Sequence, residues 1–406
     1  MEALKDNTII NRILQKGVEQ ILPSTDALKE LLLSGKRINI YQGFDPTAPT
    51  LHIGHTVGMR KLEDFRKLGH QVYFLIGDFT ARIGDPSDKT SARVKLTKEQ
   101  VEDNMKIYVQ QASNIIDIFN KQNPVKVVYN SQWLESLDFG EIIDIASVFT
   151  VQQMLKRNMF QKRLKEDKPI YLHEFLYPLM QGYDCVMMDI DVEVGGNDQL
   201  FNMLAGRDLI MNRLGKEKIV LAGKLLETSD GSKMGKTEGN MIKLNDTPND
   251  IYGKIMAFDD RLIPVGFEIL TSYELEQVHE IEKQLAEGKN PMELKKLLAY
   301  EVTKDITDEK QAKDAQQYFE SIFQKKEFNT DIPTKEISKK EINLVDLLIE
   351  TEVTDSKSQA RRLIEQNSVS INNKKITNWE ENISLQEDKE QILKCGKKVY
   401  EIKCSQ

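Results

Sequence analysis

Apolar residues recur at helical spacing through the first ~35 positions. Ile10, Ile13, Leu14 and Val18 form one stripe, and Leu28, Leu31 and Leu32 follow the capping run Ser24-Thr25-Asp26, with Gly35 as the stop. The spacing predicts helix across this stretch. The period then changes. Residues 37–41 form a short strand pattern that ends in the turn-rich Gly43, Asp45, Pro46 and Thr47. A helical pattern from Gly54 to Leu68 stops at Gly69, and residues 71–76 are a near-continuous apolar run, as in a buried strand. Strand, loop, helix, strand at this spacing predicts a βαβ unit, hence a parallel sheet with a right-handed crossover.

The alternation continues. A helix is predicted over about 97–120, a strand over 125–129, helices through 139–187, a strand over 188–194, a further helix, and a last strand beginning at 218–221. From 246 to 325 the pattern is helical only. The charged, apolar-poor stretch after it reads as a linker. The expected organisation is an α/β region over 1–245, a helical region over 246–325, a linker over 326–340 and a mixed αβ module over 341–406.

Composition acts mainly by exclusion. The 406 residues suit two or three domains at roughly 150 residues each. With 40% hydrophobic and 30% charged residues the chain can bury a core and does not read as disordered. A net charge of −8 argues against a coat of nucleic-acid-binding charge, though not against a local basic patch. Cys185, Cys395 and Cys404 are too few and too scattered for a disulfide frame or a zinc cluster, so a reduced, cytoplasmic protein is expected. No secretory leader is read at the N-terminus, and no apolar run approaches the ~18 residues of a membrane helix.

Two loops carry candidate chemistry. His52-Ile53-Gly54-His55 follows the first strand and its turn and opens a helix. Free N–H groups and the helix dipole favour an anion there, Gly54 admits a ligand close to the backbone, and two histidines three apart can both donate to phosphate oxygens. A zinc site would need further ligands, and His70, His173 and His279 lack the spacing for it. Far along the chain, Asp230-Gly-Ser-Lys233-Met-Gly-Lys236-Thr237-Glu-Gly239 sets two lysines among three glycines. Alone this is an ordinary polar loop; paired with the histidine motif it is a cationic loop able to close over a polyphosphate.

A third signal is a polar stripe in an apolar helix. Within 171–189, Tyr177, Gln181 and Asp184 share one face among Leu, Met, Val and Phe. Buried polar groups require partners, and such a slot recognises a polar ligand. Gly195-Gly196-Asn-Asp198-Gln199 follows a strand, where a double glycine admits a ligand at the sheet's carboxyl edge.

On these motifs the chain resembles the class I aminoacyl-tRNA synthetases, and within them the bacterial-type tyrosyl-tRNA synthetases, over nearly its whole length. The resemblance implies a Rossmann-like parallel-sheet catalytic domain, an α-helical domain facing the anticodon side of tRNA, and a small α+β RNA-binding domain. It implies that Asp184 and Tyr41 hold the substrate's phenolic hydroxyl. Tyr177, Gln181 and Asp85 would bind its ammonium, Asp198 the ribose of ATP, and Gln199 would lie near the reacting carboxylate. Gly54, Gly195, Gly196 and Lys236 would border the nucleotide. Thr47, His52, His55, Lys89, Arg93, Lys233, Lys236 and Thr237 would meet the charge developing on the phosphates. Magnesium would arrive with ATP, since no dedicated carboxylate cage is visible. L-Tyrosine, ATP and tRNA(Tyr) are the implied partners, and a homodimer is expected from the family alone.

Two departures stand out: Leu200-Phe201 replaces a common Trp, and Gly77-Asp78-Phe79-Thr80 departs from the family's glycine-rich strand end, leaving Asp78 unassigned. In the last module a capped helix carries Lys357, Arg361 and Arg362, and residues 369–376 read as a hairpin with an Asn-Asn turn. Basic and acidic residues nearly balance there, so RNA would be met by a patch, through its phosphates. The rival readings are a tryptophanyl-type enzyme and a catalytically silent RNA-binding paralogue.

Overall fold

The computed structural model describes residues 2–87, 96–227, 241–321, 334–354, 356–366, 368–372, 374–385, 391–395 and 398–404. These divide into two compact units, Met1–Gln316 and Gln317–Gln406.

The larger unit is built on a six-stranded sheet: β1 (Val18–Leu22), β2 (Asn39–Phe44), β3 (Gln71–Ile76), β4 (Lys126–Tyr129), β5 (Val192–Gly196) and β6 (Ile219–Gly223). Their spatial order is β1-β6-β5-β2-β3-β4, all parallel except β1, which runs antiparallel on β6. Strand order reverses between β2 and β5, and open α/β sheets bind ligands at the carboxyl ends flanking such a point.

The N-terminal segment corrects the expectation of continuous helix. Helix α1 (Asn7–Gln15), capped by the Asp6 carboxylate, ends before Gly17, whose φ of +64° turns the chain into β1. Val18, assigned to the helical stripe, therefore starts a strand. The strand expected over 188–194 begins only at Val192. Asp189 takes a left-handed φ of +49°, and the Asp191 carboxylate accepts from the Asn39 N–H at 2.8 Å, so 188–191 form a turn despite their apolar-acidic alternation. The helix predicted over 97–120 is two short ones, Lys98–Met105 and Tyr108–Ala112.

Three helices frame the ligand end of the sheet: α2 (Ile53–Lys67), α3 (Leu172–Met187) and α4 (Leu200–Leu214). The buried pair Arg163–Glu174 fixes the start of α3. Five helices between Pro248 and Glu320 follow, matching the helical pattern of that region. Ion pairs Lys224–Glu268 (2.9 Å) and Arg60–Asp305 (2.8 Å) tie them to the sheet layer. No helix among the described residues is long and apolar enough to cross a membrane.

The smaller unit has a five-stranded sheet carrying helices Leu344–Glu350 and Lys357–Glu365 over a core that includes Leu344, Leu347, Leu348, Ile364, Leu393 and Ile402. Thr334–Ile337, inside the expected linker 326–340, is a strand running parallel to Lys398–Cys404. Its Ile337 is buried in that core, one apolar residue in a polar run being enough to anchor it. The hairpin read at 369–376 is present as strands Val369–Ile371 and Lys374–Lys375.

Candidate active site

The chain leaves β2 through Asp45-Pro46-Thr47 and enters α2 with His52 as its N-cap. The backbone N–H of His52 donates to His55 Nδ1 at 3.1 Å, and the two rings stack with centroids 3.8 Å apart. This capping bond and the ring stacking fix both imidazoles at the helix N-terminus, where the dipole favours an anion. Thr47 and Gly54 are exposed on the same approach. A Cβ on Gly54 would stand 3.0 Å from the His52 ring, so glycine keeps this edge open.

The segment directly after the lysine loop is bonded to this motif. Ile53 N donates to Ile242 O and Leu244 N to Leu51 O, both at 2.9 Å, and His52 pairs antiparallel with Lys243. Lys233, Lys236 and Thr237 themselves, and Lys89 and Arg93, lie outside the described residues. The described end of the Lys89 segment is Ser87, whose N–H and hydroxyl donate to Asp85 Oδ1 at 2.9 and 2.7 Å.

The polar stripe of α3 faces inward. Asp184 is 1% exposed; its Oδ1 accepts from Trp133 Nε1 at 2.7 Å and its Oδ2 from Asn130 Nδ2 at 3.2 Å. Burial pushes its carboxyl well above the usual range, against the pull of those two donors. Asn130 also donates to Thr80, Thr80 to Asp45 Oδ1, and the Tyr177 hydroxyl to Asp45 Oδ2 at 2.8 Å. One hydrogen-bonded chain thus joins the ends of β2, β3 and β4 to α3.

Tyr41, 1% exposed, packs with Leu75, Cys185 and Trp133. Its hydroxyl donates to Glu193 Oε1 at 2.6 Å, and Gln181 Nε2 donates to the same oxygen at 2.8 Å. Gln199 Nε2 reaches Asp85 Oδ2 at 2.7 Å, while Asn202 Nδ2 lies 2.9 Å from Gln199 Oε1. Asp198 sits in the 3-10 turn Asn197–Gln199 that follows the double glycine. Glycine is required there: a Cβ on Gly195 would meet Met203 Sδ at 2.8 Å, and one on Gly196 would meet Leu225 at 2.9 Å.

Tyr41, Tyr177, Gln181, Asp184, Asp85 and Gln199 are therefore gathered around the carboxyl ends of the central strands. Sequence reading missed their partners Asp45, Thr80, Asn130, Trp133 and Glu193, and the buried Lys218 that pairs with Glu193. Asn130 and Trp133 sit just past β4, where a strand's carboxyl end was signal enough to flag them. Asp78, left unassigned, accepts from the Ser131 N–H and hydroxyl at 2.9 and 2.6 Å and so fixes that same turn. Phe201, the departure from Trp, lies 4.7 Å beneath the Arg157 guanidinium, which donates to Ser87 Oγ at 2.6 Å.

In the smaller unit, Lys357 pairs with Asp346 at 2.8 Å, Arg361 lies 4.4 Å over the Trp379 ring, and Arg362 is exposed on the same helix.

Residues 33–324 match the family model of class I tRNA synthetases for tryptophan and tyrosine, and residues 324–402 match the C-terminal domain of SYY-like tyrosine--tRNA ligases. The tyrosine--tRNA ligase of Thermotoga maritima is 42% identical over 96% of each chain. That of Aquifex aeolicus is 39% identical over 96% of this chain and 97% of its own. Among solved structures, a C-terminally truncated mitochondrial tyrosyl-tRNA synthetase from Aspergillus nidulans superposes with a TM-score of 0.66 at 22% identity, covering 79% of this chain and 95% of that one. The tyrosine-bound enzyme of Archaeoglobus fulgidus gives 0.60 at 20% identity, over 77% of this chain and 100% of that one. Sequence and fold agree: the chain belongs to the tryptophanyl- and tyrosyl-type class I aminoacyl-tRNA synthetases.

Proposed function

We propose that the protein activates L-tyrosine with ATP, forming tyrosyl-adenylate and pyrophosphate, and passes the tyrosyl group to a terminal ribose hydroxyl of tRNA(Tyr). The observation that carries this reading is the adjacency of two devices. A set of three buried side chains (Tyr41, Tyr177, Asp184) with the half-buried Gln181 suits a phenol and an ammonium, and it stands beside the strand ends that carry the paired histidines. A site that hydrogen-bonds a substrate hydroxyl rejects the analogue lacking it, and tyrosyl-tRNA synthetases discriminating against phenylalanine are the familiar case of that rule.

Neither step needs a protein nucleophile. The substrate carboxylate attacks the α-phosphorus, so the protein's part is positioning and charge stabilisation. Tyr177, Gln181 and Asp85 take the ammonium, and Gln199, tied to Asp85, stands beside the carboxylate. Gly54, Gly195, Gly196 and Asp198 receive the nucleoside. The charge developing on the phosphates is assigned to Thr47, His52, His55, Lys89, Arg93, Lys233, Lys236 and Thr237, with magnesium carried in by ATP.

In the smaller unit, Lys357, Arg361 and Arg362 meet tRNA phosphates, and the helices of 246–325 serve the anticodon side. A homodimer in the cytoplasm is the expected working form. Leu172 (82% exposed) and Phe139 (77%), on helices that pack together, offer an apolar face for the second copy, and sedimentation equilibrium tests it.

The deciding experiment is amino-acid-dependent exchange of labelled pyrophosphate into ATP. Tyrosine is expected to support it and tryptophan and phenylalanine to fail. Exchange driven by tryptophan, or none at all, rejects the reading.

A further inference from the structure

Glu193 is the only charged residue of β5, 2% exposed, in register with Tyr41 on β2 and Val220 on β6. Its Oε2 is paired with the ammonium of Lys218, itself fully buried and also bonded to Met203 O at 2.9 Å. Apolar residues of similar volume are often as stable in such a place, so stability alone is a weak reason for a buried ion pair. What distinguishes this one is its second oxygen. Oε1 accepts from Tyr41 at 2.6 Å and from Gln181 at 2.8 Å, two tyrosine-site residues from different elements.

We propose that Glu193, paired with the Lys218 ammonium, is a positioning residue that turns both Tyr41 and Gln181 into hydrogen-bond acceptors toward the substrate. The inference deepens the tyrosine reading and rests on it. An ionised carboxylate only accepts. Tyr41 has one proton and gives it to Glu193, so its oxygen is left to accept the substrate's phenolic O–H; the Cys185 thiol, 3.2 Å away, is a weak rival donor. Gln181 commits its amide nitrogen to Glu193, which turns Oε1 the other way. That atom has no hydrogen bond to the described residues, and an ammonium, a donor only, fits it.

Direction at one end fixes it at the other. If the phenol donates to Tyr41, the group on its far side must donate to the phenol, and Asp184 does so as a neutral acid. Among the described residues Asp184 is bonded to two neutral donors and to no cation, whereas Glu193 has Lys218. Burial raising the Asp184 carboxyl agrees with this division. The pocket then holds one compensated negative charge, and hydrogen bonds run one way from Asp184 through the phenol and Tyr41 to Glu193.

The test is Glu193→Gln, together with Glu193→Gln/Lys218→Met, which keeps the interior neutral and guards against misfolding. Pyrophosphate exchange is read for tyrosine, phenylalanine and ATP. The expected result is a tyrosine KM raised about 10-fold or more, a tyrosine-over-phenylalanine ratio lowered by a similar factor, and an ATP KM within about 2-fold. A folded double variant with wild-type tyrosine KM and discrimination overturns the proposal. Infrared spectra of the wild type give a second reading that needs no altered pair. A carboxylic-acid C=O band at neutral pH, lost in Asp184→Asn, is expected, and its absence overturns the one-way chain. Failure of the wild type itself to use tyrosine rejects the underlying function reading, so the two failures are distinguishable.

Discussion

His70 sits at the turn between α2 and β3, fully buried, and neither ring nitrogen has a hydrogen-bond partner among the described residues. Burial, aided by the nearby Arg37, lowers its pKa from 6.5 to about 4. The unfolded chain therefore binds a proton that the folded one refuses, and stability falls as pH drops from about 6.5 toward 4. At about 1.36 kcal/mol per unit, linkage over the interval from pH 7 to pH 5 gives a loss of about 2 kcal/mol from this side chain. Urea unfolding at the two pH values measures it. His70→Leu, which keeps the buried volume near Phe65 apolar, is expected to remove about that much of the pH dependence while leaving tyrosine activation at pH 7 unchanged. Equal pH slopes for the two proteins refute the assignment.

The other predictions concern function. Trp133→Phe removes the 2.7 Å donor to Asp184 with little change of shape; tyrosine KM is expected to rise about 5- to 10-fold with ATP KM unaffected, and parallel changes in both would contradict the assigned role. Lys233→Ala or Lys236→Ala is expected to slow adenylate formation by about two orders of magnitude or more at unchanged tyrosine affinity, as loss of charge stabilisation demands, and unaltered exchange rates would remove the loop from the mechanism. A chain ending after Ser321 is expected to keep pyrophosphate exchange and lose most tRNA charging; full charging by it would make the smaller unit dispensable.

The parallel sheet was legible because β2, β3 and α2 carry unmixed periods and sit between glycine stops. Legibility failed where one residue's backbone decided the outcome: Gly17 turned a helical stripe into β1, and left-handed Asp189 delayed β5 by four residues. The site shows the same division. Tyr177, Gln181 and Asp184 announce themselves through a helical period, because one helix presents all three. Asn130, Trp133 and Glu193 reach them from strands far apart in the chain, and nothing local marks that convergence beyond a lone charge between Val192 and Val194.

Strand β5 is five residues long and does two jobs along its length. Glu193 near its start is the residue proposed to address the amino acid, and Gly195-Gly196 at its end opens the turn that carries Asp198, proposed for the ribose, and Gln199, proposed for the reacting carboxylate. Side chains alternate faces in a strand, so a slip of a single residue would swing Glu193 away from Tyr41 and move both glycines off the positions where Met203 and Leu225 forbid anything larger. On the proposed roles, choice of amino acid and seating of ATP share one ruler. Insertions or deletions in this strand should abolish both together, and evolution can retune either only by exchanging side chains in place.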